Sequence, residues 1–129
     1  MSFKRLMKLG VLAGVMTVGS VQAAEPVPFD DPQVAVTVMQ FSVKDRAKLP
    51  ELKKGMQAIR DYLRTKPGLI DNALMENRNS GASPEYVGVS RWRSFKDWEN
   101  LWLDQELQKL VANVGQFGTV NSGTFSAVE

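Results

Sequence analysis

Val34 to Val43 (VAVTVMQFSV) is apolar on both of its alternating sides. Its β-branched and aromatic residues favour an extended strand. Val34, Val36 and Val38 fall on one side, and Ala35, Met39, Phe41 and Val43 on the other. A strand with apolar side chains on both sides must be covered on both. Either it is the central strand of a sandwich, or it lies in a sheet with helices on one face and something else, such as a second subunit, on the other.

The segments that follow favour the second arrangement. Leu49, Leu52, Met56, Ile59 and Leu63 step by three and four residues, a helical apolar stripe inside Lys44–Lys66. Pro50 suits its first turn, so the helix should start near Leu49. Pro67-Gly68 should end it. Leu69 to Asn77 reads as a second strand, Arg78 to Pro84 as a turn cluster and Glu85 to Trp92 as a third strand, which together make a hairpin. Ser94 should cap a second helix, with Asp97 in its first turn. Trp98, Leu101, Trp102, Leu103, Leu107, Leu110, Val111 and Val114 form its apolar face, with room for a break. Thr119 to Val128 is a last, weaker strand. The order β-α-β-β-α-β predicts an α+β, ferredoxin-like domain, with a four-stranded antiparallel sheet and the helices on one face. An exposed apolar sheet face would be sticky, so a homodimer through that face is expected.

The start of the chain has a different character. Lys4, Arg5 and Lys8 precede an uncharged run, Leu9 to Val18, and then Val21-Gln22-Ala23. A basic start, a short apolar run and small residues describe a secretory signal, cut after Ala23 or Ala24. The run is about 10 residues, against roughly 20 for a bilayer span, so no membrane span is expected once it is removed. The reading is therefore a signal peptide at 1–23, an extended Pro- and Asp-rich leader at 24–33, and one domain at 34–129, in the periplasm or secreted. Cleavage takes the formal net charge from +2 to −1. A nearly neutral domain lacks the electrostatic footprint of nucleic-acid binding. The chain has no Cys and no His. That excludes disulfides, thiolate metal sites, a Cys nucleophile and a Ser-His-Asp triad, and removes the commonest general base. No metal-binding spacing, phosphate loop or nucleotide motif is present.

Lys66-Pro67-Gly68-Leu69 and Tyr86-Val87-Gly88-Val89-Ser90-Arg91-Trp92-Arg93-Ser94, followed by Trp98 and Leu101-Trp102, resemble the antibiotic-biosynthesis-monooxygenase-like group of dimeric α/β barrels over about residues 34–128. The resemblance implies a homodimer with a pocket between helices and sheet in each subunit. Members include cofactor-independent oxygenases of quinol or polyketide aromatics and haem-degrading enzymes. The haem-degrading branch needs a helix histidine about ten residues after a helix tryptophan. Trp102 could be that tryptophan, but Val111-Ala112-Asn113 offers no histidine. No cofactor is therefore expected.

Five residues are candidates for binding a small apolar or aromatic ligand: Trp92, Trp98, Trp102, Asn72 and Gln40. The tryptophans either fill the core or line a flat pocket, and Trp92 is the better candidate because the matching position in family pockets is often tryptophan. Asn72 and Gln40 are polar groups in apolar strands. They either face solvent or give a phenol or quinone oxygen its hydrogen bond. Arg91 and Arg93 should meet solvent or the dimer partner. Glu76 could pair with Arg78 or Arg91. The catalytic residues are not legible, since without His a base would be a carboxylate, Tyr62, Tyr86 or water. The function expected is cofactor-independent monooxygenation of a small aromatic or quinol. The alternatives are a non-catalytic binder of small apolar ligands and a structural dimer.

Overall fold

A computed structural model describes residues 26–128. The signal segment at 1–23 lies outside the described residues. The strands are β1 (Ala35–Val43), β2 (Leu69–Glu76), β3 (Tyr86–Trp92) and β4 (Gly118–Phe125), and the helices are α1 (Leu49–Leu63), α2 (Phe95–Trp102) and α3 (Gln105–Gly115). The strands form one antiparallel sheet in the order β2-β3-β1-β4. The doubly apolar strand, β1, is thus internal, as its composition requires. The sheet is open, with β2 and β4 at its edges. One chain does not close a barrel.

Asp45 caps a short 3-10 turn before α1 by accepting from the Ala47 N–H at 3.0 Å, and Pro50 lies in the first turn of the helix. Leu52, Met56, Ile59 and Leu63 of the expected stripe are buried against the sheet. Gly68 ends the connection to β2 with φ +87, a left-handed conformation that glycine adopts without penalty. A Cβ there would also lie 2.4 Å from the Asp97 side chain. Ser94 caps α2 by accepting from the Asp97 N–H at 3.2 Å.

The second helical region is broken where Asp104 starts a new helix, accepting from the Leu107 N–H at 3.0 Å. That restart rotates the apolar stripe. Leu103 falls in the break and is exposed, so it does not continue the apolar face. Asp104 also receives the Tyr62 hydroxyl at 2.7 Å and lies 2.6 Å from Lys66 Nζ, tying the end of α1 to the start of α3. The Lys66 ammonium, the Leu107 amide and the Tyr62 hydroxyl hold the Asp104 carboxyl well below the usual carboxylate range. Asp104 in turn raises Lys66.

The helix-facing side of the sheet carries Ala35, Thr37, Met39 and Phe41 from β1 and Tyr86, Gly88, Ser90 and Trp92 from β3. The other side carries Val36, Val38 and Gln40 beside Val87 and Val89. Arg91 also lies on this open side, but at 7% exposure it does not meet solvent as expected. Asp71 faces it across β2–β3 and accepts from its Nε at 2.8 Å and Nη2 at 2.7 Å. Its Nη1 donates to the Val27 carbonyl at 2.7 Å, and the guanidinium stacks on Phe29 at 4.7 Å. The register therefore gives Arg91 to Asp71 rather than Glu76, whose row faces the helices. Among the described residues Glu76 makes no ion pair with Arg78 or Arg91. Arg93 is exposed. No helix among the described residues is long and apolar enough to cross a membrane.

Candidate functional site

Between α1 and β2 the sheet is incompletely covered. The resulting cavity is lined by Met39, Phe41, Met56, Ile59, Leu63 and Leu74, with Asn72, Ser90 and Arg60 as its polar members. Gly88 forms part of the floor, where a side chain would take up space beside Phe41 and Leu74. The cavity volume is about 20 Å³, room for one water molecule. A second hollow of about 220 Å³ shares Met56, Arg60 and Leu74 with it and opens outward past Lys53, Gln57, Glu76 and Tyr86. Met56, which lines both, is unbranched and adaptable, so its rotation can join the two spaces.

Ser90 is the distinctive group. It is 5% exposed and lines the cavity, and its hydroxyl has no hydrogen-bond partner among the described residues. A buried hydroxyl without a partner carries a desolvation cost. Asn72, its neighbour across β2–β3, is more committed. The Arg64 Nε donates to Asn72 Oδ1 at 2.7 Å, and Asn72 Nδ2 donates to the Arg60 carbonyl at 3.1 Å. Because Arg can only donate, these bonds fix the orientation of the amide. One N–H of Asn72 remains for a ligand.

The other candidates lie elsewhere. Trp92 is fully buried and its Nε1 donates to Thr37 Oγ1 at 3.2 Å. Trp98 packs on Trp92 with ring centroids 5.9 Å apart, and Trp102 meets Trp98 edge-on at 5.1 Å but is 53% exposed. The three form a row from core to surface, and none lines the cavity. Gln40 is exposed on the open side of the sheet, one residue out of phase with the cavity. Of the five, the structure brings Asn72 alone to the cavity. Tyr62 is bound to Asp104, and Tyr86 lines the outer hollow. Sequence reasoning missed Ser90 and Arg60. The available signal for Ser90 was a small polar residue in phase with Tyr86, Gly88 and Trp92 on a strand side that must be buried.

No protein-family model and no curated protein matches the sequence. Solved structures do match. SnoaB, a cofactor-independent oxygenase from Streptomyces nogalater, superposes with a TM-score of 0.63 at 16% identity, over 75% of this chain and 95% of that one. The fold is that of the antibiotic biosynthesis monooxygenases. A Caulobacter crescentus protein provisionally assigned to the antibiotic biosynthesis monooxygenases gives a TM-score of 0.64 at 17% identity, over 76% of this chain and 92% of its own. Rv0793 from Mycobacterium tuberculosis gives 0.61 at 18%, over 74% and 96%. At these identities the likeness is one of fold, and a fold hosts many reactions. In this monooxygenase fold, the cavity and its two polar side chains at the Asn72–Ser90 pair are features of the chain itself. Among the described residues there is no group of three or more His, Cys, Asp or Glu that could hold a metal ion.

Proposed function

We propose that this domain binds a small hydroxylated aromatic between α1 and β2 and oxidises it with dioxygen, without a metal or organic cofactor. The observation that carries this reading is the unpartnered Ser90 hydroxyl in an apolar cavity beside Asn72 and Arg60. A phenolic oxygen would give both Ser90 and the remaining Asn72 N–H a partner. Arg60 also lines the cavity, but its guanidinium is joined to Asp61 at 3.0 Å, so Ser90 and Asn72 are the groups that hold the phenolic oxygen. No carboxylate lines the inner cavity, so the proton leaves to water through the outer hollow.

An electron-rich phenolate can give one electron to dioxygen. The superoxide and aryloxyl radical then join at a ring carbon, and the hydroperoxide loses water to leave a carbonyl. One oxygen atom enters the product, the other becomes water, and the phenol is oxidised to a quinone. The protein contributes orientation and two hydrogen-bonding groups aimed at the phenolic oxygen. The fold shared with a cofactor-independent oxygenase supports this reaction class. The basic and apolar start of the chain supports export, and Val36, Val38, Val87 and Val89 support a homodimer that closes the barrel through the open sheet side.

A non-catalytic binder is the second reading, favoured by the absence of a carboxylate from the inner cavity. Incubation with naphthol and quinol substrates under ¹⁸O₂ separates the two. One labelled oxygen in the product and one in water is the expected result. Saturable binding with no oxygen uptake across the panel would replace the oxygenase by the binder.

A further inference from the structure

We propose that the ligand is an elongated aromatic acid, held at its phenolic end by Ser90 and at its carboxylate by Lys53. This rests on the reading of the inner cavity as an aromatic site and extends it outward. The outer hollow of about 220 Å³ continues the cavity past Met56 and ends at Lys53, Glu76 and Tyr86. Lys53 Nζ stands 6.0 Å above the centre of the Tyr86 ring, and no carboxylate lies within 4 Å of it among the described residues. Arg60, two helical turns away, is already joined to Asp61 at 3.0 Å. Lys53 is therefore the cation left to meet an anion.

The elements set the length of the ligand. Asn72 bonds the Arg60 carbonyl and pairs with Ser90, so Arg60 and Ser90 lie at one level of the site. Tyr86 and Lys53 define the other level. Seven helical residues separate Lys53 from Arg60, about 10 Å along α1 at 1.5 Å per residue. Four strand residues separate Tyr86 from Ser90, about 13 Å at 3.3 Å per residue. A hydroxyl and a carboxylate at opposite ends of one ring and a short linker span about 10 Å by the same bond dimensions. Glu76 faces the same hollow and opposes an anion, which gives the idea a second, opposite test.

The test is titration calorimetry of the full chain with 4-hydroxycinnamate, its methyl ester and cinnamate. The acid should bind about 2- to 5-fold tighter than the ester, as for a solvent-reached ion pair. Lys53→Met, at an exposed position, should abolish that preference, and Glu76→Gln should enlarge it. Ser90→Ala should weaken acid and ester alike, and 4-hydroxycinnamate should bind better than cinnamate. Equal binding of acid and ester, with both still weakened by Ser90→Ala, overturns the anionic end and leaves the aromatic site standing. A preference for the acid that survives Lys53→Met has the same consequence. Acid binding that depends on Lys53 but ignores Ser90→Ala overturns both, as does no binding of any of the three.

Discussion

The hydroxyl of Ser90 distinguishes binding from folding, because among the described residues it lacks a partner in the cavity it lines. Ser90→Ala removes a buried polar group that the described residues do not satisfy, so the unfolding temperature should stay the same or rise. Affinity for a hydroxylated aromatic should fall about 2- to 10-fold, the equivalent of one net hydrogen bond. Thermal unfolding and calorimetry on the same variant check both signs. Trp92→Phe should do the reverse. It leaves Thr37, 3% exposed, without the indole donor and leaves part of the core unfilled. A loss of about 2–4 kcal/mol in denaturant unfolding is expected, with no selective loss of binding. These two residues show which parts of the site were legible. Alternation alone grouped Ser90 with Trp92, and Gln40 with Val36 and Val38. It could not say which side the helices cover, because β1 is apolar on both. The indole of Trp92 is a strong signal for burial and a poor one for ligand contact.

At the scale of elements, the connections fix where α1 meets β2 and α3. Gly68 lets the chain turn from α1 into β2, and its carbonyl accepts from the Arg93 N–H at 2.8 Å. Gly68→Ala meets a left-handed backbone and the Asp97 side chain together, and should cost at least about 1–2 kcal/mol in denaturant unfolding. Asp104 joins α1 to α3 through Tyr62 and Lys66. Its folded pKa lies below the unfolded value near 3.9. The stability it adds is present above that value and is lost as the pH falls through the folded pKa. Asp104→Asn should therefore lower the unfolding temperature at neutral pH, and the gap to wild type should close as the pH drops below about 4. A gap constant down to low pH would show that the loss does not come from the carboxylate charge, since Asn keeps the capping acceptor. The order of elements was legible because each has its own period, and Pro67-Gly68 marks its boundary in the sequence. The exact phase of the second helical region was not. Trp102 and Leu103 continue the apolar spacing in sequence, and the new cap at Asp104 turns them outward.

For the whole molecule, the proposed homodimer rests on the open side of the sheet. Its buried cation among the described residues, Arg91, is closed off, since Asp71 and the Val27 and Pro28 carbonyls take its donors. Asp71 is held below its usual range by that contact with Arg91, so the pair stays charged and matched at neutral pH. What remains at the centre is apolar, because Val38 of β1 lies opposite Val89 of β3. Burying such a patch releases about 25 cal/mol per Å² of apolar surface, and a sheet face of this kind meets a second copy of itself more readily than water. Val38→Asp should therefore give a monomer in analytical ultracentrifugation while keeping the circular dichroism of the folded domain. Its side chain is only partly covered in the isolated chain, so the monomer can solvate the new charge. Inside a dimer the same carboxylate would be desolvated beside Val36 and Val89, and no cation among the described residues lines the hollow around Val38, a cost the interface would not survive. A Val38→Asp protein that still sediments as a dimer would move the interface away from the sheet.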